Sequence, residues 1–348
     1  DKHFWIKLSL VNFLIVAVIG LLMRYKIGFE LQFFNQKYMQ HAHSHFAFSG
    51  WVSQMLMVLM SAILQRHLSA DRIITYQRTL WVNYLSALGM LVSFPIQGYG
   101  LASIILSTLN LFASLAFCLR YLYDLNHIPR HSYKQWLRAA LIFNLMSALG
   151  TLSLVYMEVI DHAPQKLYLS SLYWYLHFQY NGWFSFACIG IFLEYLSRRV
   201  PEYRLSQRAY LLYALSCVPA FGLSELWLHV PAWLYWIIAL AAVLQLSAWI
   251  TILRSLHYST FMRLPDAPGL TILLFRYLAV AMTIKLLLQL GSVIPEVSQW
   301  AYGYRIIVLA YLHLVLLAVI SVLLIAFSYV NFDFHHNRLT KNGILVFI

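Results

Sequence analysis

The residues in this chain best able to do chemistry are histidines set inside apolar sequence. Gln40-His41-Ala42-His43-Ser44-His45 opens one long hydrophobic run, His177 lies in a second and His313 in a third, and His229 sits at the end of another. Neutral imidazole is a good ligand for haem iron, copper and zinc. An ionisable side chain among lipid-facing helices is a functional candidate, because an unpartnered polar group in hydrocarbon is costly. In a helix, His41 and His45 are four residues apart on one face while His43 points elsewhere, so the three do not all serve one metal. His313, within Ala310-Tyr311-Leu312-His313-Leu314-Val315, taken alone also reads as a core residue bonded to a neighbouring helix. Acids behave differently. Glu225 alone falls inside an apolar run, near its end, whereas Asp124 and Glu194 read as loop residues. Glu225 and Lys285 read as structural partners between helices.

The elements that must position these histidines follow from composition. Of 348 residues, 61% are hydrophobic and 10% charged, far from the roughly 25% charged of a soluble domain. The chain is an all-α polytopic membrane protein. With about 20 apolar residues per crossing, ten spans fall near 5–23, 38–65, 79–96, 101–122, 136–158, 167–195, 208–229, 232–253, 270–294 and 303–330. The apolar residues 343–348 read as the start of an eleventh, and twelve spans are expected in the full chain. The first span follows Lys2 and Lys7 and is long enough to be retained in the membrane rather than cleaved as a leader. Seventeen of the 24 Lys and Arg fall at the N-terminus or after even-numbered spans, which predicts a cytoplasmic N-terminus and, in a bacterium, the inner membrane. The net charge of +12 reads as loop charge facing anionic lipid, so the membrane is the partner and nucleic acid is not. Cys118, Cys188 and Cys217 lie in apolar runs without CxxC spacing, against a disulfide framework or zinc site. No linker or internal repeat is visible, so residues 1–348 read as one membrane domain. Spans two, six and ten all enter from the outer side. His177 and His313 each lie about ten residues into theirs, hence roughly 15 Å deep in one shared layer. Histidines from separate helices at one depth are what a metal or haem held between helices requires. No acid lies in the inner half of a span, which speaks against proton pumping.

These residues resemble the haem–copper oxidase superfamily, specifically its subunit I and the large subunit of bacterial nitric oxide reductase. His41-Ala-His43-Ser-His45-Phe-Ala-Phe-Ser-Gly-Trp51 looks like the opening of that family's second helix, which supplies an axial histidine to a low-spin haem. His177-Phe-Gln-Tyr-Asn-Gly182-Trp183 looks like the sixth, which supplies a ligand to the second metal. Tyr311-Leu-His313 stands where the tenth offers His-x-His. The resemblance implies a subunit I-like bundle in which His43, or else His41 or His45, pairs with His313 around a non-covalent haem b. It implies respiratory electron transfer, or reduction or binding of O2 or NO, with quinol or cytochrome c as electron donor and further subunits as partners. Three departures are plain. Tyr311 replaces the high-spin haem ligand, the seventh helix lacks a His-His pair, and Asn181 replaces the glutamate four positions after the sixth-helix histidine. Only His177 and His229 are left for a second haem or copper. The chain is also similar to nitric-oxide-response haem and copper membrane proteins, which carry His-Ala-His in an early span and imply gas binding without turnover. A transporter using its histidines as proton or substrate sites is the third reading.

Overall fold

The computed structural model describes residues 2–29, 31, 35–129, 131–159, 164–200, 203–228, 230–259, 269–331 and 338–348. Every regular element among them is helical. In order these are α1 (Lys2–Gly28), α2 (Gln36–Leu64), α3 (Ala70–Gln97), α4 (Leu101–Asp124), α5 (Ser132–Val159), α6 (165–199), α7 (207–225), α8 (Ala232–Ser259), α9 (Gly269–Gly291), α10 (Arg305–Val330) and α11 (Arg338–Phe347). A short helix, Pro295–Gly303, precedes α10. Eight of them, α1 to α5 and α8 to α10, are long and apolar enough to cross a membrane. The protein is thus a polytopic helical membrane protein by length and composition.

Two expected spans are helical but fall outside those eight. Helix α6 is continuous but rich in Tyr, and it carries His177, Gln179 and Asn181 at its middle. Helix α7 is α-helical only to Cys217 and winds as a 3-10 helix over Pro219–Glu225. Pro219 has no N–H to continue the ladder, and the Phe221 amide bonds to the Val218 carbonyl at 3.1 Å. The loop placement of two acids is corrected. Asp124 ends α4, fully buried, accepting from Tyr76 at 2.8 Å, Arg120 at 3.0 Å and Arg72 at 3.1 Å. Glu194 lies within α6, buried and paired with Arg198 at 3.0 Å. Basic partners one helical turn away, or on a facing helix, make both carboxylates tolerable in helices.

The helices group into two compact units, Asp1–Pro129 and Arg130–Ile348, although no composition shift marks the junction. In the first unit α2 is the core helix. Its membrane-length window is 83% buried against 22% for α1 and α4, and it packs on α1 and α3. In the second unit α6 packs against α5 and α7, while α10 packs against α9 and α6.

Helices α2, α6 and α10 share a backbone feature. Each changes from α- to π-helix directly after a histidine: Phe46–Ser53 after His45, Phe178–Phe184 after His177, and Leu314–Ser321 after His313. The sequences at these points align without gaps. His45-Phe-Ala-Phe-Ser-Gly50-Trp51-Val-Ser53 matches His177-Phe-Gln-Tyr-Asn-Gly182-Trp183-Phe-Ser185 at His, Phe, Gly, Trp and Ser. His313-Leu-Val-Leu-Leu-Ala318-Val-Ile-Ser321 keeps the His and the Ser. The closing serines behave alike, Ser185 donating to the Tyr180 carbonyl at 2.6 Å and Ser321 to the Leu316 carbonyl at 2.8 Å, each five residues back. The copies lie 132 and then 136 residues apart, from 45 to 177 and from 177 to 313. A short motif not evident by eye thus recurs in α2 and α6, with its histidine and serine kept in α10, and the boundary between the two units falls between its first and second occurrences.

Candidate functional site

In the first unit the helical spacing of the three α2 histidines holds. The His45 ring stacks on Phe94 with centroids 4.6 Å apart, and its Nε2 lies 3.1 Å from the Tyr99 hydroxyl. His41, one turn earlier, meets Tyr99 edge-on at 4.7 Å. His43 faces α1, over Gly20, where an added Cβ would stand 3.2 Å from its Cε1. The π segment that follows is held from both flanks. Asn12 of α1 donates to the Gly50 carbonyl at 2.7 Å, and Asn83 of α3 to the Ser49 carbonyl at 3.1 Å. Asn83 also donates to Gln54 at 2.7 Å and accepts from Asn110 at 3.0 Å. Such a ladder answers the need of every buried polar group for a partner.

In the second unit His177 is buried, with 1% of its surface exposed. Asn181, one turn on, places its amide nitrogen 3.1 Å from Nδ1. An amide nitrogen can only donate, so Nδ1 accepts and Nε2 carries the hydrogen. That hydrogen goes to the Cys217 carbonyl at 2.9 Å. The carbonyl is free to accept because the 3-10 turn has redirected the Phe221 amide to Val218. His177 thus ties α6 to α7 with both ring nitrogens committed. His313 is different: it is exposed, and its Nδ1 lies 2.6 Å from the Leu309 carbonyl. Nδ1 is then the protonated nitrogen, and Nε2 keeps its lone pair.

His229 lies outside the described residues. Of the two other embedded ionisable groups, Glu225 accepts from Ser170 of α6 at 2.6 Å, the interhelical partnership expected. Lys285 of α9 departs from that expectation. It is 1% exposed and has no acidic partner among the described residues. The three cysteines are buried and none forms a disulfide. Among the described residues no three His, Cys, Asp or Glu side chains converge as a ready metal cluster.

The features missed by sequence reasoning are the π segments, the Asn12 and Asn83 clamps and the Asn181–His177–Cys217 link. The recurring His-Phe-x-x-x-Gly-Trp-x-Ser was the available signal for the first. No family model matches the chain, and no curated protein matches it.

Proposed function

We propose that this chain is a membrane haem-binding redox protein of the haem–copper oxidase subunit I type, with twelve spans, a cytoplasmic N-terminus and a place in a bacterial inner membrane. The observation that supports this reading is the threefold recurrence of a histidine at the entrance to a π turn, in α2, α6 and α10. π turns are frequent at functional sites, and these fall on the three helices from which the resemblance draws ligands.

The residues fit a haem iron best at His313. A carbonyl on Nδ1–H fixes the tautomer and aims Nε2 as a ligand, the usual outer support of a metal-bound imidazole. From α2 the resemblance offers His43, with His41 and His45 as the alternatives. His45 must exchange its Tyr99 contact to take this role. Haem, when bound, would supply reversible one-electron chemistry. The chain's own contribution is to hold the imidazoles and keep water from the site. Electrons from quinol or cytochrome c, and O2 or NO as the gas, belong to the same proposal.

His177 favours the version without turnover, like the nitric-oxide-response proteins, because its ring is occupied by Asn181 and Cys217 and is not offered to a copper or second haem. The transporter reading draws on the buried Lys285. Haem content separates it from the other two. Protein expressed with haem supplied should show a reduced-minus-oxidised spectrum of low-spin b haem, and His313→Ala should abolish it. Absence of haem in a pyridine haemochrome assay of the unsubstituted protein would overturn the proposal.

A further inference from the structure

In the first unit, the first turn of α1, the end of α2 and the start of α3 enclose a cleft. Lys2 and Trp5 line it from α1, Ser61 and Gln65 from α2, and Tyr76 and Gln77 from α3, and the rest of its lining is apolar. The Tyr76 hydroxyl is spent on Asp124 at 2.8 Å. The other five polar-tipped side chains of the lining each bring an N–H or O–H donor. Ser61 is the informative one, because its Oγ is buried and has no hydrogen-bond partner. A buried hydroxyl left open calls for a partner. Lys2 is the sole charged residue of the lining. Asp124 does not cancel it, since that carboxylate is already paired with Arg72 at 3.1 Å and Arg120 at 3.0 Å.

One ammonium among neutral donors, with no acid in the lining, suits a group whose oxygens only accept. The cleft measures ≈ 40 Å³, room for about three waters at 10–15 Å³ each. It therefore takes a group of phosphate size and not a whole sugar. Basic residues gather at this end of the unit, with Arg66 after Gln65 and Arg72 and Arg78 in the first turns of α3. Beside the cleft, Phe4 and Trp81 are exposed with ring centroids 5.9 Å apart, and Trp81 meets Trp5 of the lining edge-on at 4.7 Å. Exposed aromatic rings at the end of a span sit at headgroup level, so the fitting phosphate is one that carries acyl chains.

We propose that this cleft binds the phosphate of one anionic phospholipid, with its chains lying along Phe4 and Trp81. The lipid phosphate accepts charge-assisted hydrogen bonds from Lys2 and neutral ones from its neighbours. A headgroup of net negative charge is preferred over a zwitterionic one, whose own ammonium meets that of Lys2. The site does not rest on the haem reading, because none of its residues belongs to the ligand set proposed above.

The test is thermal unfolding of the purified, detergent-solubilised protein at fixed pH and ionic strength, titrated with a short-chain phosphatidylglycerol, the phosphatidylcholine of the same chains, or inorganic phosphate. Phosphatidylglycerol should raise the midpoint saturably. Phosphatidylcholine should give less for want of net charge, and inorganic phosphate less for want of chains. Lys2→Met should raise the half-saturating concentration of phosphatidylglycerol roughly fivefold, adding Gln65→Leu should raise it further, and Lys2→Arg should keep it. No saturable rise, equal half-saturation in Lys2→Met and the unsubstituted protein, or a rise with phosphatidylcholine or inorganic phosphate as large as that with phosphatidylglycerol overturns the proposal. Should a variant fail to fold, native mass spectrometry of the unsubstituted protein decides. One phosphatidylglycerol retained in preference to phosphatidylcholine supports the site, and equal retention of the two overturns it.

Discussion

His177 shows how one side chain can be read two ways from sequence and one way from its contacts. Its type, depth and following Gly-Trp suggested a metal ligand. Its bonds to Asn181 and to the Cys217 carbonyl make it a pin between α6 and α7. The two readings separate experimentally. His177→Ala should leave a buried carbonyl unsatisfied and destabilise the protein by about 1–3 kcal/mol, seen as a lower unfolding midpoint, with haem content unchanged. Loss of haem with an unaltered midpoint would instead return His177 to the ligand set. The i,i+4 partnership of His41 and His45 was legible because helical periodicity alone decides it. The commitment of His177 was not, because it depends on a carbonyl freed by Pro219, forty-odd positions away in sequence and on another helix. Lys285 reads from sequence as a structural partner between helices, and in the fold it is buried in α9 outside the described ion pairs.

At the level of the helix, apolar run length placed nearly every element correctly, since a lipid-crossing segment has few alternatives to a continuous helix. What run length cannot reveal is a change of helical type within the run. The π segment of α2 is held by Asn12 and Asn83 on other helices, so its cause is not in its own residues. Gly182, in the corresponding segment of α6, has a plainer role. A Cβ there would stand 2.5 Å from the Cβ of Phe143 on α5, so glycine lets the two helices approach. Gly182→Ala should cost about 1–3 kcal/mol through overpacking. Combining it with Phe143→Gly, which removes the Cβ that the new methyl meets, should recover part of that loss relative to the sum of the single variants, as measured by a double-mutant cycle on thermal unfolding. Strict additivity would show that the two positions do not meet.

Across the whole molecule, the recurring motif is hard to see by eye because it spans only nine residues and its third occurrence has Ala318-Val319 in place of Gly-Trp. The alternation of basic residues between successive spans makes a prediction about topology. The native cysteines are buried, so a cysteine introduced at Ser69, between α2 and α3, should resist a membrane-impermeant maleimide added outside spheroplasts, and one at Ser292, after α9, should react. The reverse pattern would invert the orientation. The π turns carry a consequence of another kind. A π turn accommodates more residues than an α turn, whereas each α-helical residue advances the side chains by about 100° around the axis. Deleting a single residue within 46–53, 178–184 or 314–321 therefore lets the wide turn tighten to an ordinary α turn while the half-helix bearing the histidine stays in phase with the half beyond it. Such a deletion should leave folded protein, whereas the same deletion in the α-helical stretch 54–64 shifts the phase by about 100° and should abolish it; equal loss of folded protein in both cases would overturn this reading.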